Sequence, residues 1–458
     1  MNPRKAHTFV RALVVLFSAV FFAFVVWRII LWREINNQFA QIQGAGLPVS
    51  GAELNTWRHP VPDRENGALV ITQAFALLKS FPNRHDRGLP IEARDFGRTN
   101  VWPPDLQVRI IDYLRANGPA IAKTKEALEY SQFRYPVDFS YGPTTPMPHL
   151  TSLGQMGQIL ALQTVLDAED DRSPKWTEDV ELLLKLARTL DTEPTFISFL
   201  VRAGIVQKAV KVTQRNLTVA TPSAEACLKL QNAFARAGET NLLPVALIGE
   251  RALSIPVFRM SSTEAQTISE TDDGDGASEA TKPQRLSGKA APLMWLSGFM
   301  ERDLHFCLGT MDKSIAAASL PMPESMMSTN LLSDRSETAG KKLYILSSML
   351  LPSLTRATVN EASMKASISL AVTSLAIERF RLDAGRLPHT LGDLVPNYLA
   401  AVPLDPFDGA KIRYRRLAKG YVIYSVGEDG KDEGGREPPG RKKLSDKSSY
   451  DITFIVEK

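Results

Sequence analysis

The hydrophobic pattern divides the chain into three parts, and the first part is a long apolar run. Ala12 to Trp27 contains no charged residue, and residues 29–32 extend the run past Arg28. About 20 consecutive apolar residues match the hydrocarbon core of a bilayer. The pattern therefore predicts a transmembrane helix at residues 12–32, preceded by a short tail at residues 1–11.

The flanks of this run predict its orientation. The tail carries three basic residues, Arg4, Lys5 and Arg11. Because positive charge is retained on the cytoplasmic side, we expect the tail to stay inside and the rest of the chain to be exported. Trp27 and Trp32 fit an interfacial belt. A cleaved signal peptide is the alternative, but no A-x-A-like site follows the run, which favours an uncleaved anchor.

The second part of the chain repeats apolar residues at helical spacing, which predicts an all-α domain at residues 50–260 and a helical continuation at residues 293–355. Thr192 is the expected cap of a helix that starts at Pro194. The predicted helices cover residues 65–81, 106–127, 150–168, 177–190, 194–217, 223–236 and 293–318.

Residues 261–292 interrupt this pattern with Ser, Thr, Gly and charged residues, and hardly any apolar ones. This composition predicts a flexible linker or an inserted loop. Its run from Thr271 to Gly276 resembles the start of a calcium loop, but the twelfth position is Lys282 and not Glu. We therefore interpret the run as disordered acidic sequence.

In the third part, a long helix gives way to short strand-like runs. Gly385 is the expected helix C-cap, since glycine readily adopts positive φ. Residues 411–415 and 421–425 alternate apolar and polar side chains across Lys419-Gly420, which predicts a hairpin. A last strand at residues 450–456 completes a small antiparallel sheet against the helix. This α+β arrangement predicts that residues 340–458 fold independently.

The order of these features resembles the globular domain of the major pseudopilin of type II secretion systems. The matching features are the helix end at Gly385, Arg386-Leu387-Pro388, Leu394-Val395-Pro396, Asp405-Pro406-Phe407-Asp408-Gly409, and Ser425-Val426-Gly427-Glu428-Asp429-Gly430. The resemblance covers about residues 356–458 and implies a pseudopilin-like α+β domain. The short leader ending in Gly, followed by Phe and a Glu five residues into the helix, is absent, so the resemblance does not extend to membership of a pilus fibre.

The resemblance also implies a calcium site. Calcium prefers oxygen ligands, and the positions that match the family are Ser425, Asp429, Asp432 and Asp451. The loop between Asp432 and Asp451 is long and basic here, and nearby cations oppose metal binding. A solvated mixed-charge loop is the alternative.

Candidate chemistry elsewhere in the sequence is sparse. No HExxH, GxSxG, P-loop or paired-histidine motif occurs. The polar run Glu301-Arg302-Asp303 with His305 is better explained as a structural ion-pair surface than as acid–base machinery. Cys227 and Cys307 could pair in an oxidising compartment or remain buried thiols. The net charge is +4 with scattered basic residues, which argues against a nucleic-acid partner.

Two classes of function follow. The first is a membrane-anchored, exported interaction or scaffold protein with an unidentified protein partner, possible links to secretion, and no identifiable catalytic site. The second is an exported hydrolase with a cleft in the helical domain and the C-terminal domain as an accessory. Clustered carboxylates in a cleft would favour the second. The whole chain also resembles membrane-anchored bacterial proteins of uncharacterised role, which implies a single-pass protein of the inner membrane with its bulk in the periplasm.

Overall fold

In a computed structural model, the protein is mostly helical, with an apolar N-terminal helix and a small antiparallel sheet near the C-terminus. The structure describes residues 3–79, 102–169, 173–259, 297–342, 344–437 and 450–458. The predicted linker at residues 261–292, with its run from Thr271 to Gly276, lies outside these ranges. The mostly α fold class is confirmed at this level.

The elements follow in chain order. The helices are α1 (Pro3–Gly44), α2 (Gly51–Trp57), α3 (Gly67–Leu77), α4 (Pro104–Ala116), α5 (Gly118–Ala127), α6 (Pro148–Glu169), α7 (Ser173–Arg188), α8 (Phe196–Val219), α9 (Ala224–Glu239), α10 (Leu243–Ser254), α11 (Phe299–Ala318), α12 (Glu324–Lys341) and α13 (Ile345–Ala384). Short 3-10 turns occur at Asp63–Glu65, Phe139–Thr144, Ile255–Arg259 and Leu391–Leu394. The strands are β1 (Arg413–Leu417), β2 (Gly420–Ser425) and β3 (Ile452–Glu457).

Several helix boundaries differ by a few residues from those that the sequence predicted, and two differences have a clear local cause. The single helix expected at residues 106–127 is two helices, because the chain breaks at Asn117 before Gly118 and Pro119. The cap of α8 is Thr195 and not Thr192. The Thr195 side chain accepts the Ser198 N–H at 3.2 Å, which satisfies one of the free donors at the helix start.

Helix α1 does not end at the predicted membrane boundary. The helix has 42 residues in total and ends at Gly44, well beyond residue 32. Its apolar half is exposed, whereas Leu31, Ile35 and Ile42 are buried in the main core. One continuous helix therefore links the apolar segment to the helical body.

The second half of α1 packs alongside α11. Arg28 makes two hydrogen bonds to Glu301, at 2.8 and 3.1 Å. Further along both helices, His305 Nδ1 lies 3.0 Å from Gln38 Oε1. From the first contact to the second, the residue numbers increase along both helices. Helices α1 and α11 are therefore parallel.

Helices α11, α12 and α13 alternate in direction. Arg335 of α12 donates to the Thr310 hydroxyl of α11 at 2.9 Å, and Thr329 of α12 bonds to Thr358 of α13 at 3.2 Å. The start of α13 returns to the start of α11, where Asp303 accepts the Leu346 N–H at 2.8 Å. The helix α13 therefore begins beside the α1–α11 contact and carries the chain away from it.

The sheet has the order β1-β2-β3, with both pairs antiparallel. This confirms the predicted hairpin and final strand, with bounds shifted by one or two residues. Tyr421, Ile423 and Phe454 face the main core, which also contains α13. The opposite face of the sheet has its own cluster, which includes Val422 and Ile455.

The predicted signals before the sheet are also present. Gly385 has φ +68° and ends α13 in the left-handed region. Thr390 begins the next turn, where Asp393 accepts the His389 N–H at 2.7 Å. The hydrophobic core is continuous between the helices and the sheet, because one cluster contains residues of α1, α6 to α13, β2 and β3.

Candidate functional site

The four residues of the predicted calcium site have different roles in the structure. Ser425, at the end of β2, is buried, and its hydroxyl donates to Asp405 at 2.8 Å. Asp405 also accepts the Val426 N–H at 2.9 Å and an Arg413 N–H at 2.6 Å. Ser425 is therefore part of a buried network that closes the turn before β1.

The three aspartates bind backbone amides of their own loop. Asp429 accepts from Lys431, and Asp432 from Gly434, which is typical of Asx turns. Asp451 accepts the Gly435 N–H at 2.7 Å, and burial is the main reason that its pKa lies above the ordinary value. A carboxyl with a raised pKa and amide donors around it is poorly suited to a cation.

Across the described residues, no group of three or more His, Cys, Asp or Glu side chains could hold a metal ion. Most of the basic loop between Asp432 and Asp451 falls at residues 438–449, outside the described ranges. The observed donor set does not form an oxygen cage, so we derive no chemistry from calcium, and the site stays a prediction.

A buried cluster of His, Glu and Ser lies between α6 and α8, but its order excludes a catalytic triad. His149 Nε2 lies 2.9 Å from Glu193 Oε1, and the Ser198 hydroxyl donates to the same oxygen at 2.7 Å. The carboxylate thus stands between the serine and the histidine, whereas a nucleophilic serine needs the histidine beside it. All three side chains are buried. The cluster therefore links α6 to the start of α8.

The other candidate residues also have structural roles. Glu301 pairs with Arg28, and Asp303 caps the start of α13, which matches the structural interpretation of this run. Cys227 and Cys307 are separate buried thiols, and burial raises the pKa of each to about 12. Neither cysteine is therefore available as a thiolate near neutral pH.

A cleft of about 390 Å³ lies between α5, α6 and α7. Its walls are apolar on the α5 side, and polar groups converge on the α6 and α7 side. The lining residues are Leu114, Gly118, Ile121, Ala122, Lys125, Gln163, Leu166, Asp167 and Lys175. This combination of apolar walls and few convergent polar groups is typical of small-molecule sites.

The carboxyl group of Asp167, near the end of α6, lines this cleft. A second carboxyl group, that of Asp179 in α7, is buried close enough to Asp167 for the two to interact. Gln163 donates to Asp179 at 3.0 Å. Lys175 lies 2.9 Å from Asp167, and Lys125 lies 3.6 Å from Asp179. The two carboxyl groups therefore have one amide hydrogen-bond donor, Gln163, and two ammonium groups, those of Lys125 and Lys175, close to them.

The surroundings of Asp179 favour its protonated form. Burial, followed by the neighbouring Asp167 carboxyl, raises the pKa of Asp179 to about 7. Lys125 acts in the opposite direction but does not cancel these effects. A buried carboxyl beside a second carboxyl ionises less easily than an isolated one, so Asp179 can keep a proton close to neutral pH.

Sequence reasoning missed this pair because both aspartates lie within predicted helices. A usable signal was present at Asp179, whose helical neighbours Trp176, Leu182 and Leu183 are all apolar. A carboxyl on an apolar helical face must find a partner inside the protein. The partner, Asp167, lies on a different helix, so spacing along the chain does not identify it.

A second cleft, of about 370 Å³, lies where α9 and α13 meet the segment before β1. Ile368 and Val372 form part of its floor, and Pro403, Leu404 and Pro406 form one rim. The Leu404 side chain is 57% exposed there. This cleft is mostly apolar and joins the helical body to the sheet.

No protein-family model matches this chain. The comparisons with curated proteins and with solved structures also found no match. The resemblance to major pseudopilins therefore depends on the order of sequence features alone.

Proposed function

We propose that this protein is a membrane-anchored, exported interaction or scaffold protein whose helical body is held rigidly at the outer face of a bacterial inner membrane. One observation carries the proposal: α1 runs without interruption from an exposed apolar segment into the packed core. The segment has a mean hydropathy of 2.6 over 18 residues, and none of that window is buried. So much exposed apolar surface requires a lipid environment.

The packing of α1 favours a permanent anchor. Signal sequences meet the same criteria of length and hydropathy. In this chain, however, Leu31 and Ile35 of the same helix belong to the core, and Arg28 pairs with Glu301. Cleavage after the apolar run would cut within a packed helix, which supports retention of the segment.

The direction of α13 supports a membrane-distal position for the sheet. From Leu346 to Glu378 the helix rises about 50 Å at 1.5 Å per residue. At that far end, Glu378 accepts hydrogen bonds from Tyr421 at 3.1 Å and from Lys458 at 2.9 Å. A partner that docks on the sheet would therefore meet it far from the bilayer, as expected of a presented module in a secretion-associated protein.

Topology and processing are tested together in spheroplasts. The full chain carries one tag before Met1 and another after Lys458, and protease is added from outside. Without protease, we expect both tags to remain with the membrane pellet. With protease, we expect the N-terminal tag to be protected and the body, with its C-terminal tag, to be digested. Loss of the N-terminal tag from untreated protein would show a cleaved signal sequence, and protection of the body would show the opposite orientation.

The interaction role is tested in intact cells with a photo-crosslinking residue. We place it at Leu404, on the rim of the apolar cleft, and at Leu228, an exposed residue of α9 that does not line the cleft. We expect a discrete adduct from position 404 and none from position 228. Equal adducts from both positions, or none from either, would contradict specific docking at this cleft.

A second candidate function, an exported hydrolase, is favoured by the Asp167–Asp179 pair. We propose a proton-sharing pair in which only Asp167 reaches the cleft. Asp167 would remove a proton from the attacking water and pass it to the leaving group, while the buried Asp179 beside it retains its own proton. The expected reaction is hydrolysis of an amide or ester.

The hydrolase candidate is tested with the detergent-solubilised full chain and a panel of peptide and ester substrates. Asp179→Asn and Asp167→Asn should each abolish turnover, whereas Asp112→Asn, an exposed position on α4, should not. Turnover that survives both variants would exclude this pair as the catalytic site.

A further inference from the structure

The contact between α1 and α11 fixes which part of the helical body lies at the membrane surface. Arg28 is the first charged residue after the apolar run, and its side chain is held by Glu301. One residue before α11 begins, Gly298 has φ +77°, and a Cβ there would lie 2.4 Å from an Arg28 nitrogen. The first turn of α11 therefore lies at the level of Arg28.

Further groups gather at this level around Arg302. Its guanidinium lies 4.8 Å from the centre of the Tyr344 ring and 5.5 Å from that of Phe299. It also donates to the Lys342 carbonyl at 2.9 Å. The end of α12 and the start of α13 are thus held against the first turn of α11, beside the membrane helix.

The chemistry of this surface suits the headgroup region of a bilayer. Tyrosine and tryptophan rings favour that region, where one edge of the ring is apolar and the other is wet. Trp32 of α1 is 66% exposed at the same end of the body. Lys342 is exposed. Lys341, beside it, forms an exposed ion pair with Glu337 at 3.3 Å. Glu34, near His305, is the acidic group that faces this region from α1.

We propose that Trp32, Phe299, Arg302, Lys342 and Tyr344 form a second membrane contact that binds the headgroups of anionic phospholipids. Continuity with α1 determines the occupant, because the same helix that crosses the bilayer carries Trp32 and Arg28 at this level. Lys and Arg side chains near an anionic membrane surface are attracted to it. Two separated contacts, unlike one helix alone, fix the tilt of the body on the membrane.

This inference depends on the proposed anchor, and the experiment separates the two. The full chain is placed in lipid nanodiscs that contain anionic phospholipid and nitroxide-labelled lipid. A fluorophore is attached at one introduced cysteine, Lys342→Cys, Val20→Cys or Lys419→Cys. The native Cys227 and Cys307 are buried and do not compete for the label. Position 20 reports the span, and position 419 reports the distal sheet.

We expect headgroup nitroxides to quench the fluorophore at position 342 severalfold more than at position 419, and acyl-chain nitroxides to quench at position 20. Quenching at 342 should weaken when neutral lipid replaces the anionic lipid. Quenching at position 20 without quenching at 342 would overturn the second contact and leave the anchor intact. No quenching at position 20 would overturn the anchor itself. Equal quenching at 342 in neutral and anionic discs would refute recognition of the headgroup charge.

Discussion

At the scale of single residues, buried carboxyl groups position the ends of elements. Asp303 accepts two backbone N–H groups at the start of α13, from Leu346 and Ser347. Asp405 accepts from Val426 and Phe407 in the segment around the sheet. Each bond satisfies a donor that the helix or turn leaves free, so losing the carboxylate would leave several buried groups without partners.

Asp179→Asn should change how stability depends on pH. The pKa of Asp179 is about 7 in the folded protein and near 3.8 when exposed. Between these values the folded state binds a proton that the unfolded state releases, so this group makes stability fall as pH rises from about 4 to 7. Asparagine imitates the protonated acid and removes the dependence.

The measurement is the melting temperature of the detergent-solubilised chain at pH 5 and pH 8. We expect the difference between the two values to be smaller in Asp179→Asn than in the wild type, and unchanged in Asp112→Asn. A difference as large in Asp179→Asn as in the wild type would show that this carboxyl is ionised throughout the range.

Arg413→Met should destabilise the sheet end of the protein. The Asp405 side chain is fully buried, and Arg413 lies 2.6 Å from it. Methionine keeps much of the volume but leaves the carboxylate without its charged partner, which costs about 3 kcal/mol for a buried pair. Denaturant unfolding should show this loss, whereas Arg415→Met, at the exposed neighbour on β1, should have almost no effect. Equal stability of both variants would mean that Asp405 is held by its neutral donors alone.

At the scale of elements, the two halves of α1 differ in exposure. Residues before Arg28 expose apolar side chains, and residues after it supply Leu31, Ile35 and Ile42 to the core. Because the helix is continuous, the direction of the apolar segment and that of the body are coupled.

Two truncations should separate the halves of α1. Removal of residues 1–27 should leave the stability of the body nearly unchanged, since the apolar side chains from Phe9 to Val26 are largely exposed. Removal of residues 1–44 also deletes three buried side chains, each worth roughly 1.5–3 kcal/mol, so we expect a loss on the order of 5 kcal/mol. Denaturant unfolding in one mild detergent compares the two proteins. Similar stability for both would contradict a structural role for residues 28–44.

At the scale of the whole molecule, the C-terminal sheet is part of the helical body. Ile368, Ala371 and Leu375 of α13 belong to the same core as α8 and α9. On the other side, Val359 and Ala362 pack on Met326 of α12. The sequence predicted an independent unit at residues 340–458. Most of the contacts of α13, however, are with helices outside that unit, chiefly α8, α9 and α12.

We therefore expect the fragment 340–458 to lack a cooperative unfolding transition, in contrast to the full chain. Excision would expose the apolar sides of α13 that contact α8, α9 and α12, and the small sheet alone offers too little core to compensate. Circular dichroism during a urea titration is the measurement. A sharp transition in the fragment would restore the interpretation of residues 340–458 as a separate domain.

Local signals determined the elements of this protein, and tertiary packing determined its sites. The apolar run, the glycine at the end of α13 and the alternation around Lys419-Gly420 depend on neighbours in the chain, so the sequence alone located the apolar N-terminal helix, the helix end and the hairpin. The Asp167–Asp179 pair, the Asp405–Arg413 network and the continuation of α1 into the core depend on residues that are distant in sequence. Their partners are chosen by how helices pack, because burial makes an unpaired charge or an exposed apolar face costly only once the chain has folded.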